Sequence, residues 1–170
     1  MFNLKNGLTK KQVSTTISDA IKKMDFKITG SDFERPWGGF FLISESQAIE
    51  FIRQFFNELD SFEFEGFTKL SPKILVVEPG KRLSWQYHHR RSEIWKLIDG
   101  SAGVIKSKTD AEGDLQILKP GDIVELEQGE RHRLVGLEDW GVVAEIWKHT
   151  DASDPSDEED IVRVQDDFGR

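Results

Sequence analysis

Three residues in the middle of the chain, Gln86, His88 and Glu93, have the types and spacing that make chemistry possible. Gln86 and His88 are two apart, so on a strand they point to the same side. Glu93 follows a short connection, His89 to Ser92, that can reverse the chain. An imidazole nitrogen converging with carboxylate and amide oxygens makes a divalent-metal site, open to substrate where water fills the remaining positions. Gly80 and Gly100 bound this stretch.

The rest of the chain must position it. At 170 residues the length fits one domain with a sizeable core. With 12 Phe and 5 Trp, disorder is not a sensible reading for most of it. A net charge of −8, much of it in the last twenty residues, argues against non-specific binding to nucleic acid or an acidic membrane. The lack of cysteine excludes disulfides and thiolate metal ligands. No apolar run reaches signal-peptide or transmembrane length, so a soluble cytoplasmic protein is expected.

Val13, Ile17, Ala20, Ile21 and Met24 recur at helical spacing, predicting a helix over 9–25 with Thr9 as N-cap. Arg35-Pro36-Trp37-Gly38-Gly39 is a turn-forming cluster before a strand-like apolar run at 40–43. Ser44 and Gln47 have capping-box spacing, and Ile49, Ile52, Phe55, Phe56 and Leu59 mark a second helix to about Leu59. From about Phe62 short strands follow at 73–78, 93–98, 102–106, 115–118, 123–126, 132–135 and 141–147, separated by glycine-rich turns. That rhythm predicts an all-β sandwich or barrel. The acidic segment 151–160 reads as an exposed linker, and the mixed tail beyond it as one that docks back on the body. The expected organisation is a helical extension at 1–30, a helical insertion at 44–60, a barrel core at 62–150 and a linker with tail at 151–170.

Gly80, Gln86, His88, Glu93 and Gly100 resemble the first cupin signature, with Gln in place of its first His. Gly121, Gly129 and His132 resemble the second, with Glu127 where proline is usual and Gly136 replacing a late Asn. The chain is more closely similar to the cupin domain of type II phosphomannose isomerases. The shared segments are Arg35-Pro36-Trp37-Gly38, Pro79 to His89, Arg131-His132-Arg133-Leu134 and Glu159 to Arg170, with Phe168 in a Tyr place. The likeness covers roughly 33–43 and 70–170. Many relatives carry a nucleotidyltransferase domain before the cupin; the length here leads to the expectation of a stand-alone isomerase domain.

The resemblance implies a mainly β fold, an antiparallel cupin or jelly-roll barrel with two added helices in its N-terminal half. It implies a metal held by Gln86, His88, Glu93 and His132, with zinc the first choice and iron or manganese as alternatives. It implies interconversion of mannose 6-phosphate and fructose 6-phosphate, which needs a Lewis acid, a base between C1 and C2, and a cationic phosphate grip. Glu145 is the one charged residue among Val142 to Trp147 and is the candidate base. Strand parity carried back from His88 puts Gln86, Ser84 and Arg82 on one inward face. Arg82 is therefore the candidate phosphate grip, with Arg131, Arg133, Arg163 and Arg170 as further choices. Trp37 and Trp95 are candidate walls of a sugar cavity, His89 is expected to face solvent, and His149 is given no role. The alternatives are an isomerase of another sugar, such as a heptose phosphate or lyxose, and a non-catalytic sugar- or metal-binding cupin. A homodimer is expected from exposed sheet edges.

Overall fold

A computed structural model describes residue 2 and residues 4–169, with Ser61 in backbone only. Arg170, one of the phosphate candidates, lies outside the described residues. Eleven antiparallel strands form two sheets among these residues. The first runs β1 (Ile28–Asp32), β2 (Gly38–Ile43), β3 (Lys73–Val77), β10 (Gly141–His149), β5 (Arg91–Asp99) and β8 (Ile123–Leu126). The second runs β11 (Ile161–Gln165), β4 (Trp85–His88), β9 (Arg131–Gly136), β6 (Ala102–Ser107) and β7 (Leu115–Leu118). This is the mainly β, two-sheet barrel that the short-strand rhythm predicts.

Side-chain alternation divides the apolar residues into two cores. Leu75 and Val77 of β3, Val143 of β10, and Trp95 and Leu97 of β5 point between the sheets, where they meet Ala102, Val104 and Leu134. Ile74, Val76, Val142, Ala144 and Ile146 point out of the other face, into a second core under the helices. Buried on both faces, β3 and β10 read as continuous apolar runs rather than as an alternation.

Helix α1 (Lys10–Lys23) starts at Thr9 with a reciprocal cap, the Gln12 amide nitrogen donating to Thr9 Oγ1 while Gln12 Oε1 accepts from the Thr9 amide. Its stripe of Val13, Ile17 and Ile21 seals the outer face of the first sheet. Helix α2 (Ala48–Phe55) is shorter than its sequence predicts, stopping at Phe55 instead of about Leu59. The Ser44–Gln47 spacing forms no capping box. Gln47 instead donates to the Asp25 carbonyl and accepts from the Lys27 amide, tying the helix entrance to the chain leaving α1. Phe51 is fully buried and touches Phe26, Phe55 and Phe56.

Two strands, β1 and β11, lie where the sequence predicts none by pattern, while β4 lies where the Gln86–His88 spacing puts a strand. β1 is polar, ITGSD, and pairs with β2. β4 is the short segment carrying Gln86 and His88. β11 pairs with β4, so the tail docks as expected, by adding a strand to the edge of the second sheet. The sheets therefore draw strands from outside 62–150. Gly100, which closes the first signature, has φ +78 and would place a Cβ 1.7 Å from the Trp140 carbonyl oxygen, so only glycine fits.

Phe51→Ala is expected to destabilise the whole chain by about 3–5 kcal/mol, in one cooperative denaturant transition. A separate early transition for the helices would instead make them an independently unfolding layer.

Candidate metal centre and active-site cavity

The ligand candidates come from both sheets. His88 on β4 and His132 on β9 belong to the second sheet, and Glu93 on β5 to the first. Their side chains are 1–2 % exposed. One ligand atom from each lies within 4.8 Å of the others, a cluster that could hold a metal ion. His88 Nε2 is 3.2 Å from Glu93 Oε1, and His132 Nε2 is 3.4 Å from Glu93 Oε2. Metal–ligand bonds of roughly 2.0–2.2 Å at tetrahedral or octahedral angles put neighbouring ligand atoms roughly 3.0–3.5 Å apart.

The orientation of each ring follows from its other nitrogen. His132 Nδ1 lies 2.9 Å from the Glu130 carbonyl and His88 Nδ1 3.4 Å from the Asp160 carbonyl. A carbonyl only accepts, so each Nδ1 carries the hydrogen and each Nε2 is the nitrogen left to face Glu93. Burial holds His88 below the usual imidazole range, against the pull of Glu93. Glu93 Oε2 and His132 Nε2 are buried with no hydrogen-bond partner. Two electron-rich atoms facing each other at 3.4 Å repel unless a cation lies between them, so the donor set fits a metal.

Gln86 has a different status. It lies opposite His132 in the β4–β9 pairing and is buried, but its Oε1 already accepts from Ser84 Oγ at 2.6 Å. Arg91, which the sequence does not single out, is central. Its Nε donates to Glu93 Oε1 at 2.7 Å, its Nη2 to His88 Nε2 at 3.1 Å, and its Nη1 to Ser156 Oγ and the Asp157 carbonyl. Its guanidinium carbon lies 3.5 Å from the Trp147 ring centroid. Burial alone would raise the Glu93 pKa, but His88 and Arg91 outweigh it and hold the carboxyl well below its usual range.

A cavity opens beside this cluster, lined among others by Trp37, Ser84, Gln86, Glu93, Trp95 and Glu145. Glu145 projects between the sheets, as the β10 alternation predicts, and is 4 % exposed. Its Oε1 accepts from Trp95 Nε1 at 2.9 Å. Burial, then repulsion from Glu93, pushes it up to about 7, against the opposing pull of Lys73 and Arg91. Trp37, Trp95 and Ser84 are thus brought together with Glu145 and the cluster.

Most of the predicted phosphate grips fall elsewhere. Arg82 precedes β4, where the chain makes only an isolated bridge and Leu83 and Ser84 are both buried. Strand parity does not extend that far back. Arg82 turns outward and pairs with Asp167 through Nε at 2.5 Å and Nη2 at 2.9 Å. Arg131 pairs with Asp110 and stacks on Tyr87, its guanidinium carbon 4.1 Å from the ring centroid. Arg133, fully buried, binds Glu112 and the Leu83 carbonyl. Arg163, opposite Gln86 on β11, does line the cavity, and so do Arg35, Lys73 and Arg91. Lys73 and Arg91 had a legible signal: each shares strand parity with interior residues, Leu75 and Glu93 respectively. His89 is exposed, as expected. His149 is buried against Ser71, whose Oγ lies 2.9 Å from its Nε2.

Comparison with known proteins agrees with this architecture. An oxalate decarboxylase variant from Bacillus subtilis superposes with a TM-score of 0.56 at 15% identity, covering 79% of this chain and 30% of that one. The capsular polysaccharide assembling protein CapF from Staphylococcus aureus gives 0.54 at 11% identity, covering 83% and 34%. These likenesses are of fold. A mannose-1-phosphate guanylyltransferase of Escherichia coli (strain K12) is 31% identical over 58% of this chain and 19% of its own length. One from Salmonella montevideo is 28% identical over 84% and 24%. The chain thus spans only about a fifth to a quarter of these curated relatives. No helix among the described residues is long and apolar enough to cross a membrane. The mannose-6-phosphate isomerase C-terminal family matches residues 53–166, from within α2 to just past β11, and this cupin-fold chain belongs to it.

Proposed function

We propose that the chain is a metal-dependent ketol-isomerase interconverting mannose 6-phosphate and fructose 6-phosphate. The observation that carries this reading is a buried carboxylate of raised proton affinity, Glu145, lining the same cavity as Glu93 of the His88–Glu93–His132 cluster. The curated relatives bear another activity in their name and extend far beyond this chain, so the reading follows the family rather than them.

His88, Glu93 and His132 would hold the metal, with Gln86 as a fourth ligand once its amide oxygen leaves Ser84. Zinc is our first choice, with iron or manganese also suited to this oxygen-rich set. The ion would supply Lewis-acid stabilisation of negative charge developing on the sugar oxygens. Glu145 takes the proton from C2 of the aldose and returns it to C1, while the hydroxyl proton on O2 passes to O1. Trp95 Nε1 fixes the direction of that carboxylate. A pKa near neutrality lets one group both accept and return a proton. Arg91 holds Glu93 and His88 in register, and Trp37 and Trp95 present flat apolar walls to the sugar. A homodimer finds support in Leu115 and Ile117, exposed on edge strand β7. The cytoplasm is the compartment where such a substrate is met.

A second reading, a non-catalytic metal-binding cupin, is favoured by the small cavity, about 60 Å³ against the roughly 300 Å³ or more usual for small-molecule sites. Proton NMR in D₂O with mannose 6-phosphate separates the two. Deuterium uptake with fructose 6-phosphate appearing, lost on chelation and restored by a divalent metal, is the expected result. No turnover at full metal occupancy would sink the isomerase reading and leave other sugars, then the binding role, to be screened. His132→Ala is expected to abolish stoichiometric metal by elemental analysis while keeping the far-UV spectrum. Glu145→Gln is expected to keep the metal and lose about 10²–10⁴-fold in kcat. In the wild type, kcat/KM is expected to fall as pH drops and Glu145 takes up its proton. That limb should lie at or below about 7, because a cation at Glu93 lowers the proton affinity.

A further inference from the structure

The cavity carries more positive charge than the metal centre uses. Lys73 is only 6 % exposed, and its ammonium lies 3.6 Å from the Trp147 ring centroid. Its carboxylate partner is Glu158 Oε1, at 3.0 Å. Arg35 and Arg163 line the same cavity, although Arg35 also pairs with Asp32 at 2.8 Å.

Glu158 is unlike its neighbours. Its side chain is 53 % exposed, and it reaches the cavity lining from the segment 150–160, a strap tied to the body at Ser156, Asp157 and Asp160. The strap is fastened without it. Ser156 Oγ donates to Asp160 Oδ2, Arg91 grips Ser156 and the Asp157 carbonyl, and Asp160 accepts from the His89 and Arg90 amides. Burial would raise Glu158, but Lys73, with Arg91 and Arg35, overcomes this and holds it below the usual carboxylate range. The space left inside is about 60 Å³, so a sugar-sized ligand must move something, and Glu158, half exposed and tied to the cavity wall through Lys73, is a group that can swing out.

We propose that Lys73, flanked by Arg35 and Arg163, is the anion seat of the cavity, and that Glu158 fills it as an internal carboxylate which a phosphate monoester displaces. A phosphate dianion brings up to twice the charge of the carboxylate and more acceptor oxygens, so three cations favour the exchange. Trp147, against which the ammonium rests, is two residues beyond Glu145 on β10. That is roughly 7 Å along a strand, a span suited to a ligand held by its phosphate at one end and reacting at the other. The ligand class rests on the isomerase reading; the seat itself does not.

The test is calorimetric titration of inorganic phosphate into the metal-loaded protein. Glu158→Gln is expected to tighten phosphate binding by about 5- to 10-fold by removing the competitor. Glu159→Gln, the same charge change one residue along, should leave it within about twofold. Lys73→Met should abolish it; if that variant fails to fold, the Glu158 and Glu159 variants still decide. Binding unchanged or weakened in Glu158→Gln, an equal gain in Glu159→Gln, or wild-type affinity in a folded Lys73→Met would each overturn the proposal. Because the titration needs no turnover, phosphate seating as expected without isomerisation would remove the activity and keep the seat. Turnover with phosphate indifferent to Glu158 and Lys73 would do the reverse.

Discussion

The Glu93 carboxylate is buried between two sheets, and much of the surrounding structure answers to its charge. An isolated anion at 2 % exposure would cost several kcal/mol or more, so it must be compensated by groups that are themselves buried and need partners. Arg91 supplies the nearest opposite charge, and with it comes the problem of satisfying a buried guanidinium. Ser156 and Asp157 solve that problem from the strap. Ser156 in turn donates to Asp160, whose carboxylate collects the amides of His89 and Arg90 in the turn between β4 and β5. The path returns to the two strands that carry His88 and Glu93. One buried charge thus links the turn, the strap and the orientation of the His88 ring.

The arrangement also separates two carboxylates by proton affinity. Glu93 lies beside the guanidinium and the imidazoles and stays ionised. Glu145 faces the same interior from the neighbouring strand, with an indole N–H on one oxygen and Glu93 as an unfavourable neighbour, so it holds its proton far more readily. Two acids in one cavity with proton affinities pushed apart are what general acid–base chemistry requires. Both sheets contribute, because the cluster links β4 and β9 to β5 across the interior. Relative motion of the sheets would disturb the candidate ligands and the candidate base at once.

How much of this was legible in the sequence depends on where strand parity holds. Gln86, His88 and Glu93 sit on regular strands, and their convergence follows from spacing. Glu145 follows from alternation along β10. The same rule fails at Arg82, because the chain before Trp85 is not extended in a ladder, and burying both Leu83 and Ser84 turns the arginine outward. It was open at Arg91 and Lys73, whose parity placed them inward although long cationic side chains are usually read as surface. The strap was not legible. Asp157, Glu158 and Asp160 belong to an acidic run whose composition says solvent, and only their tertiary partners distinguish them from it. β1 and β11 were missed for a related reason, since edge strands with polar faces carry little hydrophobic pattern.

The placement of β11 has a consequence for the order of biosynthesis. Every residue of the cluster and the candidate base is translated before position 146, and the ten strands that carry the interior are complete by His149. The partners of Arg91 and the strand that covers the free edge of β4 are made afterwards, from 156 to 165. While the chain emerges from the ribosome, Arg91 and Glu93 must wait with their charges only partly compensated. The hydrogen bonds that complete the coordination of Arg91 can therefore form only after every residue of the interior has been synthesised.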